Sequence, residues 1–570
     1  MTNLTWWQTA VFYQIYPRSF ADGNGDGIGD FIGIIDRLDY LADLGVDALW
    51  LSPHFPSPQF DVGYDISDYV DVAPEYGTLD DFKRFLNGAH ERGIRVILDL
   101  VMNHTSHLHQ WFIESRSSRD HPKRDWYVWR DPAPDGGPPN NWLSPFGGSA
   151  WEYDPATNQY YYHFFLKEQP DLNWRNPEVK KAMWDAVRFW LDMGVDGFRL
   201  DAIGTVFEDP DLMPHQSPLT EDEMRRIFKR GFPDGTDRQL VELWRVIYEK
   251  QVEQDGVHQL MQELRRVVDE YPDRVLVGEN DNVSYHGDGN NELHMVFNFP
   301  LMRTDRLTPA WIRANQDVRL ASLPPEAWPC NTLNNHDTTR VYTRFRDGQN
   351  DDVIARAALA LMLTLRGTPF LYNGEEIGMT DYRLTDIDLF RDPPAVWFYN
   401  AIVADGLPPG EALVLAADAS RDRCRTPMQW SNAANAGFSP AGVQTWLPIN
   451  PNYAQGINVA EQQDDPNSML DFYKRLLRLR KQTPALIDGD YMPLHETSDD
   501  YFAFLRQSQE TGQTCLVLLN LSGKPHTLKF DLPSENVRCL FSTHTPAGES
   551  LSSEALSIAP FEVFIGELTS

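Results

Sequence analysis

Short apolar runs alternate with amphipathic helical segments along most of this 570-residue chain. The apolar runs cover residues 10–16, 48–52, 95–101, 197–200, 275–278, 294–299, 331–335 and 368–372. Helical periodicity lies between them, in 32–44, 79–92, 178–193, 257–271 and 352–365. Such alternation predicts a parallel sheet with crossover helices. Eight candidate strands favour an α/β fold closed into a (β/α)8 barrel, and an open doubly wound sheet is the alternative.

Three parts of the chain break this rhythm. Residues 105–174, between the third and fourth strands, are rich in Pro, Gly, Trp and Tyr, and we predict an inserted lobe there. Residues 380–458 follow the eighth strand and show little periodicity. From 491 onward, candidate strands at 501–506, 514–521, 526–530 and 562–568 have no helices between them, which predicts a C-terminal antiparallel β-sandwich. The barrel would then comprise 1–104 and 175–490, the lobe 105–174 and the sandwich domain 491–570.

Acidic residues stand at the ends of three of the predicted strands. Asp201 ends Gly197-Phe-Arg-Leu-Asp201, Glu279 ends Arg274-Val-Leu-Val-Gly-Glu279, and Asp337 follows the run that begins at Asn331. In a (β/α)8 barrel the carboxyl ends of the strands form the catalytic face. Two carboxylates there can supply a nucleophile and a general acid for glycoside cleavage. One such residue alone is more often part of a buried ion pair or a helix cap, but three together favour an active site.

The neighbours of these carboxylates suggest different roles. Arg199 lies two residues before Asp201, so both side chains face the same side of the sheet. The guanidinium should lower the pKa of Asp201 and keep it ionised as a nucleophile. Glu279, as the general acid, needs a raised pKa, which burial or the charge of Asp337 can supply.

Two histidines occupy similar positions. His104 closes Asp99-Leu-Val-Met-Asn-His104 at the end of the third strand, and His336 precedes Asp337. We expect both imidazoles to donate hydrogen bonds to sugar hydroxyls, and a purely structural role is the alternative.

A glycine-rich loop near the N-terminus resembles part of a calcium-binding loop. It places oxygen donors at alternate positions, namely Asp22, Asn24, Asp26, Ile28 and Asp30. The bidentate glutamate of an EF-hand is missing, because Gly33 occupies its position. We therefore predict a structural Ca²⁺ site outside the EF-hand fold, and a polar turn without metal is the alternative.

Composition limits the partners of the chain. The net charge of −33, from 83 acidic and 50 basic residues, disfavours nucleic acid and anionic lipid as partners, whereas a neutral oligosaccharide is indifferent to it. The four cysteines show no metal-ligand spacing and no disulfide framework, which favours a reducing compartment. The N-terminus lacks the pattern of a signal peptide, and no apolar run reaches membrane-spanning length. We expect a cytoplasmic monomer or homodimer without a membrane anchor.

These motifs together resemble the glycoside hydrolases of the α-amylase superfamily (glycoside hydrolase family 13), in particular its α-glucosidase and oligo-1,6-glucosidase group. The matching segments are Asp99-Leu-Val-Met-Asn-His104, Gly197-Phe-Arg-Leu-Asp201, Val277-Gly-Glu279, Asn334-Asn-His-Asp337, Asp61-Val-Gly-Tyr-Asp65, Gln169-Pro-Asp-Leu-Asn173 and Arg425-Thr-Pro-Met-Gln-Trp430. The similarity runs from about residue 6 to residue 480. It implies a (β/α)8 barrel with an inserted lobe and a C-terminal β-domain, and the loop at Asp22 matches the group's calcium loop.

The resemblance also implies roles for individual residues. Asp201 would be the nucleophile, Glu279 the acid/base and Asp337 the stabiliser of the transition state. Around the sugar it places Asp61, Tyr64, His104, Arg199, His336 and Arg425. Asp61 and Arg425 would close the end of the pocket, so that the enzyme acts from a chain end.

The expected activity is that of a retaining α-glucosidase acting on maltose-like oligosaccharides or sucrose, with possible transglucosylation. Within the group, a small residue such as Ala202 after the nucleophile goes with α-1,4 rather than α-1,6 cleavage. An oligo-1,6-glucosidase, or an isomerase that forms trehalose or isomaltulose on the same fold, shares all three carboxylates. A catalytically inactive, membrane-anchored relative is disfavoured, since the carboxylates are present and no anchor is visible.

Overall fold

The computed structural model describes residues 4–217, 219, 223, 227 and 237–569. Strands in this part of the chain are numbered in chain order: β1 Phe12–Ile15, β2 Ala48–Leu51, β3 Arg95–Leu100, β4 Trp129–Arg130, β5 Trp151–Asp154, β6 Gln159–Tyr162, β7 Gly197–Leu200, β8 Val275–Gly278, β9 Met295–Val296, β10 Cys330–Thr332, β11 Thr368–Tyr372, β12 Asp490–Leu494, β13 Tyr501–Gln507, β14 Thr514–Asn520, β15 His526–Leu528, β16 Asn536–Ser542, β17 Ser550–Ser552, β18 Leu556–Ile558 and β19 Val563–Thr569.

Eight parallel strands form a closed barrel. Their order is β10-β11-β1-β2-β3-β7-β8-β9. Phe297, just after β9, bridges in parallel to Cys330 at the start of β10, and this pair joins the two edges of the sheet. The predicted (β/α)8 barrel is thus confirmed, and the open sheet is excluded. The barrel strands are buried on both faces, as expected for a parallel sheet covered by helices.

Helices surround the barrel and extend its loops. Their bounds are Trp6–Thr9, Phe31–Ile35, Leu38–Leu44, Leu79–Glu91, Gln110–Ser117, Pro177–Met193, Asp237–Tyr248, Val257–Val268, Phe299–Arg303, Pro309–Ser322, Val341–Arg344, Asp351–Thr364, Pro393–Ala404, Pro409–Ala419, Val459–Gln462, Met469–Gln482 and Pro484–Ile487. Capping residues set the ends of several of these helices. Thr78 caps the helix Leu79–Glu91 by accepting from the Asp81 amide, and Gly194 ends Pro177–Met193 in the left-handed conformation.

Two sequence predictions fail locally. The helix predicted over 32–44 is two helices, because Arg37 takes a non-helical backbone conformation between them. The strand predicted over 294–299 ends at Val296, and Phe299 begins a helix whose second residue is Pro300. Proline fixes a helical φ and lacks the N–H that a central strand donates, so it favours the helix start.

The chain between β3 and β7 forms a lobe above the carboxyl edge of the barrel. It carries a small antiparallel sheet in the order β4-β6-β5. An isolated bridge between His104 and Asp171 ties the lobe to the end of β3, and a second bridge, between Tyr127 and Leu172, lies within the lobe. The helix Asp237–Tyr248, which the sequence analysis did not predict, packs its Leu243 against the aromatic core of this lobe. The lobe therefore covers the edge at which the predicted catalytic residues lie.

The stretch after β11 contains a helical hairpin that the periodicity did not indicate. Pro393–Ala404 and Pro409–Ala419 pack against each other around Phe398, Ile402 and Ala412. Apolar residues occur on most sides of the first helix, which leaves little amphipathic period to detect. The hairpin leads directly into Arg421 and the segment that holds Arg425.

The C-terminal part is an antiparallel sheet in the order β12-β13-β14-β19-β16-β17, accompanied by the pair β15-β18. Alternate residues of β13 enter different cores: Phe502 and Phe504 join the main core, whereas Ala503 and Leu505 join the core internal to this part. The predicted antiparallel β-domain is confirmed, with β12, β16, β17 and β18 in addition to the four predicted strands. Across the residues described, none of the helices has the length and apolar character needed to cross a membrane.

Candidate active site

The three predicted catalytic carboxylates line one cavity at the carboxyl edge of the barrel. Asp201 directly follows β7, Glu279 directly follows β8, and Asp337 lies in the loop after β10. The cavity has a volume of about 800 Å³. Because parallel strands end at the same edge, these three carboxylates meet here although Asp201 and Asp337 are 136 positions apart in the chain.

Arg199 lies beneath the carboxylates and is fully buried. Its Nη1 donates to Asp201 Oδ1 at 2.7 Å and to Asp99 Oδ1 at 2.8 Å. Its Nη2 is 2.9 Å from Glu279 Oε2. Asp99 was part of a recognised motif but was not predicted as a member of the site. One guanidinium thus serves three carboxyl groups.

Asp201 and Glu279 form a hydrogen-bonded pair with different proton affinities. Burial raises the pKa of Asp201 to about 6, although Arg199 opposes this shift. Burial raises the pKa of Glu279 to about 8; Arg199 again opposes it, and the charges of Asp201 and Asp337 add to it. The expectation that Arg199 lowers the pKa of Asp201 is right for the ion pair but wrong for the net shift, because burial outweighs it. Near neutral pH the shared proton therefore belongs mainly to Glu279.

Asp337 has the opposite character. Burial alone would raise its pKa, but His336 and the guanidinium groups of Arg425 and Arg421 hold the pKa well below its usual range. Arg425 Nη2 is 2.5 Å from Asp337 Oδ1, and Arg421 Nη1 is 3.5 Å from the same atom. Asp337 is consequently ionised near neutral pH.

His336 is held from both sides of its ring. Gln14 Nε2 lies 2.7 Å from Nδ1, and Tyr64 Oη lies 2.6 Å from Nε2. Since an amide nitrogen can only donate, Nδ1 accepts and Nε2 carries the proton. Burial lowers the pKa of His336 well below its usual value, so the imidazole is neutral. Tyr64 lines the cavity and its hydroxyl also donates to Asp99 Oδ2 at 3.1 Å.

His104 and Asp61 meet through a glutamine. Gln169 Nε2 donates to Asp61 Oδ2 at 3.1 Å and lies 3.0 Å from His104 Nε2. Burial lowers the pKa of His104 to about 4, so this ring is neutral as well. Gln169 belongs to the segment Gln169–Asn173, which is one of the family motifs, but Gln169 itself was not predicted as a site residue. Asp61 and His104 both line the cavity.

The arginine that pairs with Asp61 is Arg421, whereas the resemblance implied that Asp61 and Arg425 close the end of the pocket. Arg421 Nη2 donates to Asp61 Oδ1 at 2.9 Å and to Asp392 Oδ1 at 2.7 Å. Arg425 has no exposed surface and lies behind Asp337, where its Nε donates to the carbonyl of His336 at 2.8 Å. Arg421 stands only four residues before Arg425, so the arginine that contacts Asp61 lies just before the recognised motif Arg425–Trp430.

The predicted calcium loop lies apart from the cavity, since none of its five candidate ligands is among the cavity's described lining residues. Asp22 accepts from the amides of Gly25 and Gly27 at 2.6 and 2.8 Å. Asp26 accepts from the Ile28 amide, and the Asp26 amide donates to Asn24 Oδ1 at 2.9 Å. Asp30 accepts from the amides of Gly23, Asn24 and Gly33, and caps the helix Phe31–Ile35.

Comparison with known proteins agrees with this geometry. A family model described as alpha amylase, catalytic domain, matches residues 14–489. An oligo-1,6-glucosidase of Parageobacillus thermoglucosidasius is 42% identical over 550 residues, covering 93% of this chain and 92% of that protein. A probable alpha-glucosidase of Rhizobium meliloti is 42% identical over 531 residues, covering 92% and 90%. The crystal structure of a trehalulose synthase from Pseudomonas mesoacidophila has a TM-score of 0.87 at 37% identity and covers 100% of both chains. The chain therefore belongs to the α-amylase family of glycoside hydrolases.

The contacts of Arg421 generate a prediction about Asp392. Asp392 accepts two bonds from the guanidinium and one from the Arg421 amide at 2.8 Å, so it fixes the arginine against Asp61. We expect Asp392→Asn to raise KM for maltose about tenfold and to lower kcat by a smaller factor, because Arg421 pairs closely with Asp61, at 2.9 Å, and less closely with Asp337, at 3.5 Å. Steady-state kinetics measures both constants.

The matched control is Asp418→Asn. Asp418 lies near the end of the second hairpin helix, and its half-exposed carboxylate pairs with Arg383. The control variant should leave KM within twofold, roughly the effect of losing one surface ion pair. An unchanged KM in Asp392→Asn would show that Arg421 keeps its position without this carboxylate.

Proposed function

We propose that this chain is a retaining, exo-acting α-glucosidase. It hydrolyses the terminal non-reducing α-glucosidic bond of small oligosaccharides, with α-1,4 bonds favoured. The observation that carries this proposal is the hydrogen-bonded pair of Asp201 and Glu279, in which burial raises the pKa of Glu279 to about 8 and that of Asp201 only to about 6. A protonated acid beside an ionised carboxylate is the pair that retaining glycoside cleavage requires.

In the proposed mechanism Asp201 attacks the anomeric carbon while Glu279 gives its proton to the leaving oxygen. A β-glucosyl ester of Asp201 forms, and Glu279, now ionised, takes a proton from water as the water attacks the same carbon. The product is α-glucose. Asp337, which its arginine neighbours keep ionised, faces the positive charge that develops on the sugar ring in both steps.

The ion pair of Asp61 and Arg421 supports action at a chain end. The two side chains line the cavity, and Gln169 and Asp392 hold them from behind. Both Asp61 and Arg421 are largely buried, so a sugar chain extending past them would have to break the pair. A glucosyl unit bound there would be the last of its chain.

Two observations bear on which bond the enzyme cleaves. Ala202 after the nucleophile favours α-1,4 cleavage by resemblance, whereas the relative from Parageobacillus is named an oligo-1,6-glucosidase. The structural similarity to a trehalulose synthase keeps a glucoside isomerase as the second candidate. Transfer of glucose to a sugar instead of water would use the same glucosyl ester.

We further propose a cytoplasmic monomer or homodimer. Its four cysteines are free and buried, as suits a reducing compartment. Cell fractionation and light scattering test these two points, and a secreted or larger assembly would contradict them.

We also propose a structural Ca²⁺ in the loop at Asp22. The donor set fits a hard cation, because it consists of oxygens from Asp22, Asn24, Asp26, the Ile28 carbonyl and Asp30. The described residues contain no cluster of three or more His, Cys, Asp or Glu side chains arranged for a metal, so the amide and carbonyl oxygens would have to contribute. A Ca²⁺ ion here would offset two of the three negative charges of Asp22, Asp26 and Asp30 and brace the turn that precedes helix Phe31–Ile35.

The anomeric outcome tests the proposed reaction. In a time-resolved proton NMR experiment with maltose, α-glucose should appear first and then drift to the anomeric mixture, because two inversions at one carbon retain configuration. Asp201→Asn should lower the rate by roughly a thousandfold or more while the fold survives. Initial β-glucose would exclude the retaining mechanism, and trehalose as the main product would favour the isomerase.

The pH dependence tests the roles of the two carboxyl groups. Asp201 must be ionised, so kcat/KM should rise as pH increases through about 6, and Glu279 must be protonated, so it should fall as pH increases through about 8. The two apparent constants belong to the coupled pair.

The variant Glu279→Gln separates the two limbs of this profile. Measured with α-glucosyl fluoride, whose leaving group needs no proton, its profile should lack the alkaline limb. The acid limb should stay close to its wild-type position, because Glu279 is protonated and uncharged where Asp201 ionises and the glutamine amide can still donate to Asp201. Persistence of the alkaline limb would assign that limb to another residue.

Removal of calcium tests the loop. If free calcium is in about 100-fold excess over the Kd of the loop, EGTA should lower the Tm of this 570-residue chain by roughly 2 °C. Asp26→Ala should show the same lower Tm with and without calcium, whereas Asp288→Ala, an aspartate outside the loop, should keep the calcium dependence. A wild-type Tm that does not respond to EGTA would favour the polar turn without metal.

A further inference from the structure

The helix Asp237–Tyr248 has an unusually broad apolar arc. Leu243 and Ile247, on one edge of the arc, are buried with Trp142 and Trp151 in the core of the inserted lobe. On the adjacent edge, a second set of apolar residues lines the cavity that holds the catalytic carboxylates: Leu240, Val241 and Trp244. We call these three residues the apolar wall.

Two residues of the apolar wall are strongly exposed. Val241 is 68% and Trp244 42% exposed. The helix has a polar face of its own, where Arg245 pairs with Glu242 at 2.6 Å, so the exposure does not result from a helix that is apolar all round. Large apolar side chains exposed together beside an active site are a feature of ligand-binding surfaces.

The position of the apolar wall defines what part of a substrate it can touch. Polar and charged side chains surround the other part of the cavity: Asp61, Tyr64, His104, Asp201, Glu279, Asp337 and Arg421. A glucosyl unit bound among these groups has the pair of Asp61 and Arg421 behind it. The leaving group must therefore extend toward the remaining lining. This includes the apolar wall, Phe165 and Phe299, together with five polar residues: Thr205, Glu253, Asn280, Asp281 and Arg303.

We propose that the apolar wall binds an apolar aglycone, so that the enzyme also cleaves α-glucosides of alkyl alcohols. This inference rests on the proposed α-glucosidase function. In the reaction the bond between the anomeric carbon and the alkoxy oxygen breaks, the Glu279 proton passes to that oxygen, and Asp201 forms the glucosyl ester. Water then cleaves the ester, and the products are glucose and the alcohol.

The side chains of the apolar wall favour an alkyl group over a second sugar. Trp244 could stack on either kind of ligand, but Leu240 and Val241 offer no hydrogen-bonding atoms. Sugar hydroxyls placed against them would lose water without gaining partners, which costs free energy. A hydrocarbon chain loses nothing in the same place and gains from burial.

A homologous series of substrates tests this inference. Methyl, butyl, hexyl and octyl α-glucosides share an alcohol leaving group of similar basicity, so differences in kcat/KM report binding of the chain. We expect kcat/KM to rise by about twofold per methylene group, below the roughly fourfold that full burial gives. Concentrations stay below micelle formation, and maltose is measured alongside.

Variants locate the effect on the helix. Val241→Ser and Trp244→Ala should each reduce the octyl-to-methyl ratio of kcat/KM at least threefold, roughly the gain from one to two buried methylene groups, whereas Trp244→Phe should keep most of it. Val318→Ser is the matched control, because Val318 is also 68% exposed but lies on the helix Pro309–Ser322. It should keep the wild-type ratio. Thermal melts of each variant verify folding.

The outcomes separate this inference from the proposed function. A flat series in a wild-type enzyme that hydrolyses maltose with retention would overturn the inference and leave the α-glucosidase proposal standing. A wild-type enzyme that cleaves neither maltose nor any alkyl α-glucoside would overturn the proposed function. A third outcome would also overturn the inference: kcat/KM rises from maltose to maltotriose, Trp244→Ala removes that rise, and kcat/KM stays constant along the alkyl series. The apolar wall would then bind a sugar unit and not an alkyl chain.

Discussion

The buried guanidinium of Arg199 is the interaction on which the active site depends. It contacts Asp99, Asp201 and Glu279 within 2.9 Å, so one positive charge serves three acidic groups. Holding all three ionised in a desolvated site would leave two uncompensated charges, and keeping a proton on one of them is the less costly state. That proton resides on Glu279. Burial raises the pKa of Glu279 to about 8, but raises the pKa of Asp99 and Asp201 only to about 6. The acid needed for glycoside cleavage is thus a consequence of charge balance.

Strand register brings these groups together. In the parallel pairing, Asp99 of β3 lies opposite Arg199 of β7, and Arg199 lies opposite Val277 of β8, two residues before Glu279. Asp337 lies farther around the barrel and contacts two guanidinium groups instead of a share of one. The same barrel edge therefore holds one carboxyl group that keeps its proton and one that does not. The difference comes from their neighbours: His336 and two arginines beside Asp337, and one shared arginine with two other carboxylates beside Glu279.

The sequence predicted the parts of the site that follow directly from strand ends. Asp201, Glu279 and Asp337 could be found because short parallel strands end at one edge, so their C-terminal residues must meet. Arg421 and Asp392 could not be found in this way. The contact of Arg421 with Asp61 and its contacts with Asp392 depend on a helical hairpin that begins 332 residues after Asp61, and the first helix of that hairpin has little amphipathic period. Local patterns carry no information about such pairings, and the resemblance chose Arg425, four residues away from the arginine that makes the contact.

The two ends of the cavity are built by different physical means. At the glucose end, buried ion pairs and neutral histidines fix each polar atom, so that exchanging one group leaves another unpaired at a large cost. At the leaving-group end, the helix Asp237–Tyr248 presents apolar side chains that make no directional bonds. Apolar ligands that differ in length can lie against Leu240 and Val241, because these two side chains have no polar atom to leave unsatisfied. Catalysis and choice of leaving group are therefore separable in this fold: the first is fixed by barrel strands, and the second by an insertion that packs on the lobe and contributes no catalytic carboxylate.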